Sequence, residues 1–304
     1  MKKRNLNSIM IKRGRIKILL LFFISLIFFN CTHTRSVSFL YTGKSNGILE
    51  NCNCPKNKYG GLLNRLYFFK NQTDSVDVFL DSGDIFSYRK DQNLNHIIQN
   101  ILPKFQYAAI TPGELDLEMI KQIDDIFVSQ NVYGIKKEKF IEINNINICI
   151  TGAIDPTFVR YDKNNLIDKK IGIKEINSYT NTLKSKCDVL IFLSHLESEK
   201  ERKVFIENTN IDIMISGHSG IKTYEKFGNR IYVSPGMNSE FVGKLNISMN
   251  KNDKGLYKIS NHKNRFYSMH IDSIPVNMKA KNIVDSMKKN LNMEIIINKS
   301  NDYE

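Results

Sequence analysis

The chain has 304 residues, 41% of them hydrophobic, and a formal net charge of +13 at pH 7. Seven lysines and arginines lie before position 18 with no acid among them, and removing their charge leaves +6. That remainder is dispersed along the chain, with no dense basic block and no tryptophan. This pattern argues against a nucleic acid polymer as a partner and favours a solvated surface.

The N-terminus predicts export. The basic segment is followed by an apolar run over residues 18–29 and then by Cys31. This order is typical of a secretory signal, and the run is shorter than the ~20 residues that cross a bilayer. We predict a lipoprotein signal peptide over 1–30, lipidation of Cys31 and a short tether over 31–36. The alternatives are a plain signal peptide or an uncleaved anchor. A lipoprotein would be held to a membrane and would face the periplasm or the cell surface.

From residue 37 the chain alternates segments with strand and helix patterns. In chain order we expect a strand at 37–42, a helix at 60–71, a strand at 76–80, a helix at 94–102, a strand at 107–110, a helix at 118–129, a hairpin of 139–143 and 146–151, a helix at 176–186, a strand at 189–194, a helix at 197–207, strands at 211–216, 230–233 and 242–249, and a helix at 283–291.

This alternation predicts an α/β domain with functional loops at strand ends. The late hairpins favour a second, mixed sheet, so we expect two sheets inside with helices outside.

Acidic and histidine side chains recur where predicted strands end. Asp84 follows one apolar strand, Glu114 follows the next, and His195 and His218 end two more. A single histidine in this setting is usually structural. Two of the chain's six histidines at equivalent strand ends, each after a small residue, favour metal ligation instead.

The motifs, in order, resemble those of the calcineurin-like metallophosphoesterases. They are more closely similar to the N-terminal catalytic domain of bacterial periplasmic 5′-nucleotidases. The resemblance rests on Tyr41-Thr-Gly-Lys-Ser-Asn-Gly47, Gly60-Gly-Leu62, Arg65, Asp81-Ser-Gly-Asp84, Gly113-Glu-Leu-Asp116, Leu193-Ser-His-Leu196, Ser216-Gly-His-Ser-Gly220, Val233-Ser-Pro-Gly236 and Phe241-Val-Gly-Lys-Leu245. It implies a four-layer αββα sandwich of two mixed sheets, with a dinuclear metal site between them.

The resemblance also sets the expected domain limits. The metallophosphoesterase-like domain is expected over 37–270, followed by a C-terminal tail over 271–304 with a possible helix. No C-terminal nucleotidase specificity domain is expected.

Three ligand positions of one implied metal are degenerate. The family's Asp-x-His motif is replaced by Lys44 and Asn46, and the last ligand position holds Gly220. A protonated lysine cannot ligate a metal, and its ammonium could take the place of the cation. The position at which the family has a histidine that acts as the general acid holds Leu115. Leucine cannot donate a proton, so no catalytic residue is assigned.

The second implied metal keeps a full set of ligands. Its positions hold Asp84, Glu114, His195 and His218. Two imidazoles and two carboxylates suit one divalent ion, either Zn²⁺, Mn²⁺ or Fe²⁺. We therefore expect at most one divalent metal.

The five cysteines fall into different settings. Cys149 and Cys187 lie in or beside apolar strands and are expected to be inert core thiols. Cys52 and Cys54 lie in a loop after the altered first motif. This loop resembles that of a divergent 5′-nucleotidase-like branch with incomplete metal motifs, and the resemblance implies redox chemistry. The pair could equally be a soft metal-ligand pair, a disulfide-prone loop or a purely structural segment.

Whether the protein is an enzyme depends on the changed metal-ligand and general-acid positions. We expect a membrane-anchored lipoprotein whose hydrolytic activity is weak or lost. One alternative is an active metal-dependent phosphoric monoester hydrolase of the nucleotidase type. Another is a thiol redox protein using Cys52 and Cys54. The partners would be the membrane, through the lipid anchor, and a small phosphorylated molecule or a redox partner.

Overall fold

A computed structural model describes residues 34–51, 57–87, 91–120, 125–160, 165–252 and 255–291. The predicted signal peptide, Cys31, Cys52 and Cys54 lie outside these ranges. Among the described helices, none combines the length and the apolar character needed to cross a membrane.

Eleven strands in the described ranges form two mixed sheets. The five-stranded sheet has the order β11-β10-β1-β2-β3, and the six-stranded sheet has the order β4-β5-β6-β7-β9-β8. Strands β1, β2 and β3 are parallel, as are β5, β6, β7 and β9. The strands span Arg35–Thr42, Val78–Asp81, Ala109–Ile110, Glu138–Ile143, Ile146–Ile154, Val189–His195, Ile213–Ser216, Thr223–Phe227, Arg230–Ser234, Phe241–Lys251 and Tyr257–Ser268.

The two sheets pack face to face through alternating side chains. Phe39 of β1 and Ile191 of β6 belong to the apolar cluster between the sheets. Their neighbours Leu40 and Phe192 point to the outer faces, where each belongs to a different cluster. Because successive side chains of a strand point to opposite faces, an unbroken apolar strand is buried on both sides.

Within the described ranges, five longer helices cover the outer faces. They are α1 Leu62–Lys70, α2 Gln92–Ile101, α3 Ile173–Lys184, α4 Ser198–Glu207 and α5 Met278–Asn290. Apolar residues of α1, α2 and α5 share a cluster with the outer face of the five-stranded sheet. Those of α3 and α4 pack on the six-stranded sheet. The chain is therefore a four-layer αββα sandwich, as the sequence predicts.

Side-chain caps fix the starts of α2, α4 and α5, and at α4 the Glu197 carboxylate accepts from the N–H groups of Glu199 and Lys200. The carboxylate of Asp91 accepts from the backbone N–H of Leu94 at 3.0 Å at the start of α2. The Asn277 side chain accepts from Ala280 N–H at the start of α5. These caps satisfy backbone donors that a helix end otherwise leaves unpaired. Ala280 and Val284 of α5 are buried in the cluster on the outer face of the five-stranded sheet, so the described part of the predicted tail, up to residue 291, packs on the domain.

Most predicted elements are confirmed, with two kinds of correction. The helix predicted over 118–129 is wrong for its described C-terminal part, where Phe127 pairs with Ile110 and Val128 with Lys136. Phe127 and Val128 are buried, and Ile110 of β3 donates its N–H to the Ile126 carbonyl and accepts from the Val128 N–H, both at 2.8 Å. Strands β8 and β11 were not predicted, because both are mostly polar or charged strands at sheet edges.

The expectation of two free core thiols is also wrong. Cys149 of β5 and Cys187, which lies between α3 and β6, form a disulfide with a Cα–Cα distance of 5.8 Å. This separation is within the usual range for a disulfide. The sequence could not reveal the pair, since the two residues are 38 positions apart.

Candidate metal centre

The carboxyl ends of parallel strands from both sheets meet at one edge of the sandwich. Asp84 follows β2, Glu114 follows β3, His195 ends β6 and His218 follows β7. One ligand atom from each residue lies within 4.8 Å of the others. The structure therefore brings together the four residues that the sequence predicts as metal ligands.

His195 is oriented by a backbone contact. Its Nδ1 lies 2.8 Å from the carbonyl oxygen of Ser82. A carbonyl can only accept, so Nδ1 carries a proton and donates it. The other ring nitrogen, Nε2, lies 3.0 Å from Glu114 Oε2 and 3.3 Å from Asp84 Oδ2. The ring is fully buried. This is how a metal-binding histidine is commonly held, with one nitrogen tied back and the other facing the ion.

Asp116 holds the loop that carries Asp84. Its buried carboxylate accepts backbone N–H groups from Asp84, Ile85 and Gly113 at 2.8–2.9 Å, and from Phe86 at 3.2 Å. Asp84 itself has a positive φ of 55°. Four donors converging on one carboxylate fix this turn and direct the Asp84 side chain toward the centre.

Two glycines permit the close approach of these loops. A Cβ at Gly113 would lie 2.2 Å from Asp84 Oδ1 and 2.7 Å from His195 Cε1. A Cβ at Gly217 would lie 2.0 Å from the carbonyl oxygen of Ser82. Any larger residue at either place would displace the ligands or their supports.

His218 completes the cluster from the more exposed side. Its Nδ1 lies 3.4 Å from His195 Nε2 and 4.0 Å from Glu114 Oε2, and its side chain is 25% exposed. The ring of Phe158 stacks on it, with centroids 3.7 Å apart and planes at 14°. Phe158 also lies edge-on to His195 at 6.3 Å.

The ionisable groups influence one another strongly. Burial alone would lower the pKa of His195, but the Asp84 and Glu114 carboxylates raise it well above its ordinary value. Burial alone would raise the pKa of Asp84, but His195, the N–H of Leu115 and Lys44 lower it below its ordinary value. Burial, with the charges of His195 and Lys44, lowers the pKa of His218. Carboxylates that favour a proton on an imidazole favour a cation in the same place.

The degenerate positions lie beside this cluster. The Lys44 ammonium donates to the carbonyl oxygen of His218 at 2.5 Å. Asn46 Nδ2 donates to Asn238 Oδ1 at 2.9 Å. Gly220 has a positive φ of 69° and offers no side chain, and Leu115 approaches Asp84 Oδ1 through its backbone N–H. The ammonium thus adds positive charge next to the histidine cluster.

A buried polar network holds the loops that follow β1 and β2. Arg65, 1% exposed, donates to Ser45 Oγ at 2.6 Å and lies 3.9 Å from Asp81 Oδ2. Asp81 also accepts from Thr42 Oγ1 and from the N–H of Gly83. Burial raises the pKa of Asp81, and Arg65 opposes that rise. The network ties the end of β1 to the end of β2, which fixes the turn before Asp84.

Sequence reasoning missed Phe158 and assigned no role to Asp116. Phe158 ends a short 3₁₀ helix, Pro156–Phe158, directly after β5. Its position in the chain could have indicated it. Strand β5 is parallel to β6, so the carboxyl end of β5, which Phe158 follows, lies at the edge that carries His195. Asp116 belongs to the Gly113–Asp116 motif, and only the folded loop reveals its four backbone partners.

The comparisons with known proteins support the αββα sandwich described above as a known class of fold. No protein-family model and no curated protein matches the sequence. Among solved structures, the 5′-nucleotidase precursor of Thermus thermophilus is similar at a TM-score of 0.69 and 17% identity, over 84% of this chain and 59% of that one. The calcineurin-like phosphoesterase YfkN of Bacillus subtilis matches at a TM-score of 0.69 and 18% identity, over 84% and 98% of the two chains.

A third similar structure is the Haemophilus influenzae NAD nucleotidase, at a TM-score of 0.68 and 14% identity, over 85% and 60% of the two chains. The chain spans about three fifths of the two nucleotidases. At these identities the likeness concerns the fold. The chain has the calcineurin-like metallophosphoesterase fold, and its cluster of Asp, Glu and His side chains could hold a metal ion.

Proposed function

We propose that the protein is an exported lipoprotein, anchored through Cys31, whose phosphoesterase-like domain binds a single divalent metal ion. The ion would be held by Asp84, Glu114, His195 and His218. The observation that carries the proposal is the convergence of these four ligand atoms within 4.8 Å. Two imidazole nitrogens and two carboxylate oxygens fit Zn²⁺, Mn²⁺ or Fe²⁺.

The residues of the chain have separable roles in this proposal. The Ser82 carbonyl keeps the proton of His195 on Nδ1 and leaves Nε2 for ligation. Asp116 holds Asp84 in place through the backbone. When bound, the ion would supply a Lewis acid for an oxygen of a small phosphorylated molecule.

We propose that phosphomonoester hydrolysis is weak or lost. Lys44, Asn46 and Gly220 stand where the resemblance implies ligands of a second metal, and Leu115 stands where it implies a general acid. A missing general acid typically costs about 10²–10⁴ in rate. The Lys44 ammonium beside the cluster also disfavours a second cation there, because like charges repel.

Export is supported by an independent feature of the fold. Disulfides persist in oxidising compartments and are rare in the cytosol. The Cys149–Cys187 disulfide therefore fits a location outside the cytoplasm, facing the periplasm or the cell surface.

The test combines metal analysis with hydrolysis assays on the purified full chain. We expect one divalent ion per chain after purification. Asp84→Ala should abolish binding, and His218→Ala, which keeps three of the four ligands, should lose the ion during purification and bind added metal only weakly. Hydrolysis of p-nitrophenyl phosphate and nucleoside monophosphates, with added Mn²⁺ or Zn²⁺, is expected to stay at background. Absence of bound metal would overturn the proposed centre. Turnover that disappears in Asp84→Ala would instead establish an active hydrolase of the nucleotidase type.

A further inference from the structure

The two histidines of the cluster are held in different ways. His195 is tied by its Nδ1 to the Ser82 carbonyl. His218 directs Nδ1 toward His195 and Glu114. In the part of the chain that the structure describes, its Nε2 has no hydrogen-bond partner. Among the described residues, no protein group therefore gives His218 the hydrogen bond that ordinarily fixes the ring plane of a metal-binding histidine.

An aromatic ring occupies the place where such support is needed. Phe158 lies parallel to the His218 imidazole, with centroids 3.7 Å apart and planes at 14°. At this distance, rotation of the imidazole about its Cβ–Cγ bond would drive its edge into Phe158. The stack therefore restrains the ring plane, and with it the direction of Nδ1.

Phe158 is itself firmly placed. It ends the 3₁₀ helix that follows β5, and the Asp155 carboxylate caps that helix by accepting from Thr157 N–H at 3.0 Å and Thr157 Oγ1 at 2.8 Å. Asp155 is 1% exposed and lies 3.4 Å from the Lys200 ammonium. The backbone N–H of Asp155 also donates to the carbonyl oxygen of His195. The segment is thus coupled directly to the strand end that carries the other histidine.

We propose that Phe158 is a positioning residue for the metal centre, which holds His218 in its ligating orientation by stacking. This inference rests on the proposed metal-binding function. Orienting contacts around metal ligands are commonly worth 10–100-fold in affinity. A flat stack carries less direction than a hydrogen bond, so we expect an effect of about tenfold, at the lower end of that range.

The experiment measures Zn²⁺ affinity of the full chain by competition with a chromophoric chelator. Phe158→Leu should weaken the affinity about tenfold, whereas Phe158→Tyr, which keeps the ring, should stay near wild type. The matched control is Phe140→Leu, since Phe140 is 50% exposed on the edge strand β4. The Zn²⁺ affinity of Phe140→Leu should equal that of the wild type.

A double-mutant cycle separates positioning from general damage. In a His218→Ala background, Phe158→Leu should cause no further loss, because the ring that it positions is gone. Co²⁺ absorption spectra add a second readout: the ligand-field bands of Phe158→Leu should shift toward those of His218→Ala. Thermal unfolding of each metal-free variant reports on folding.

The outcomes are distinct. Wild-type affinity in Phe158→Leu, or an equal loss with and without His218, would refute the positioning role while leaving the metal centre intact. A wild-type chain that binds no Zn²⁺ would refute both the proposed function and this inference.

Discussion

Removal of the Cys149–Cys187 disulfide should produce a large loss of stability that can be worked out from the fold. The two cysteines are 38 residues apart. Closing a loop of that length lowers the entropy of the unfolded chain by about 13 cal/mol/K, which corresponds to about 4 kcal/mol at 25 °C. Measured disulfides typically contribute about 2–4 kcal/mol. For a domain of this size, such a loss lowers Tm by about 10 °C.

The assay is unfolding of the full chain by heat and by urea, with and without reductant. The variant is Cys149→Ala/Cys187→Ala, which retains the other three cysteines. Reductant should lower the stability of the wild type to roughly that of the variant and should change the variant much less. Because any effect of reductant on Cys31, Cys52 or Cys54 occurs in both proteins, the difference isolates this disulfide. Equal stability of oxidised and reduced wild type would refute the reasoning.

Three further predictions concern the centre. At a Zn²⁺ concentration 100 times the Kd, bound metal should add about 2.7 kcal/mol of stability to the wild type. A chelator or His218→Ala should remove most of this gain, and a gain that persists in the variant would exclude His218 as a ligand. Gly113→Ala places a Cβ 2.2 Å from Asp84 Oδ1, so calorimetric titration should show Zn²⁺ affinity reduced at least tenfold; wild-type affinity would contradict the close approach. Because Asp84 and Glu114 raise the pKa of His195, metal must displace a proton from Nε2. Affinity should therefore rise as pH increases from 6 to 8, up to tenfold per unit below that pKa; a flat profile would contradict this.

The location of the candidate ligands follows from local sequence. Apolar runs such as 189–194 are too short for helices and too apolar for exposed strands, so they predict buried strands. A polar residue directly after such a run lies at the strand end whatever the details of packing. This is why Asp84, His195 and His218 could be placed correctly without a structure.

Other parts of the fold required long-range information. Strands β8 and β11 carry mostly polar residues, and they exist because neighbouring strands offer unpaired backbone groups at the sheet edges. The segment 125–129 has a helical pattern, yet pairing with Ile110 and Lys136 determines its conformation. Tertiary pairing overrides local propensity in both cases.

The sequence by itself determined the layered α/β architecture, the four candidate ligands and the changed positions Lys44 and Leu115. The architecture and the ligand positions depend on periodicity and on residue type, which are local properties, whereas Lys44 and Leu115 are recognised as changed through the resemblance to the metallophosphoesterase motifs. Only the tertiary structure decided that Cys149 pairs with Cys187 and that Phe158 stacks on His218. Both contacts join residues far apart in the chain, and their partners are selected by the packing of strands and loops in three dimensions.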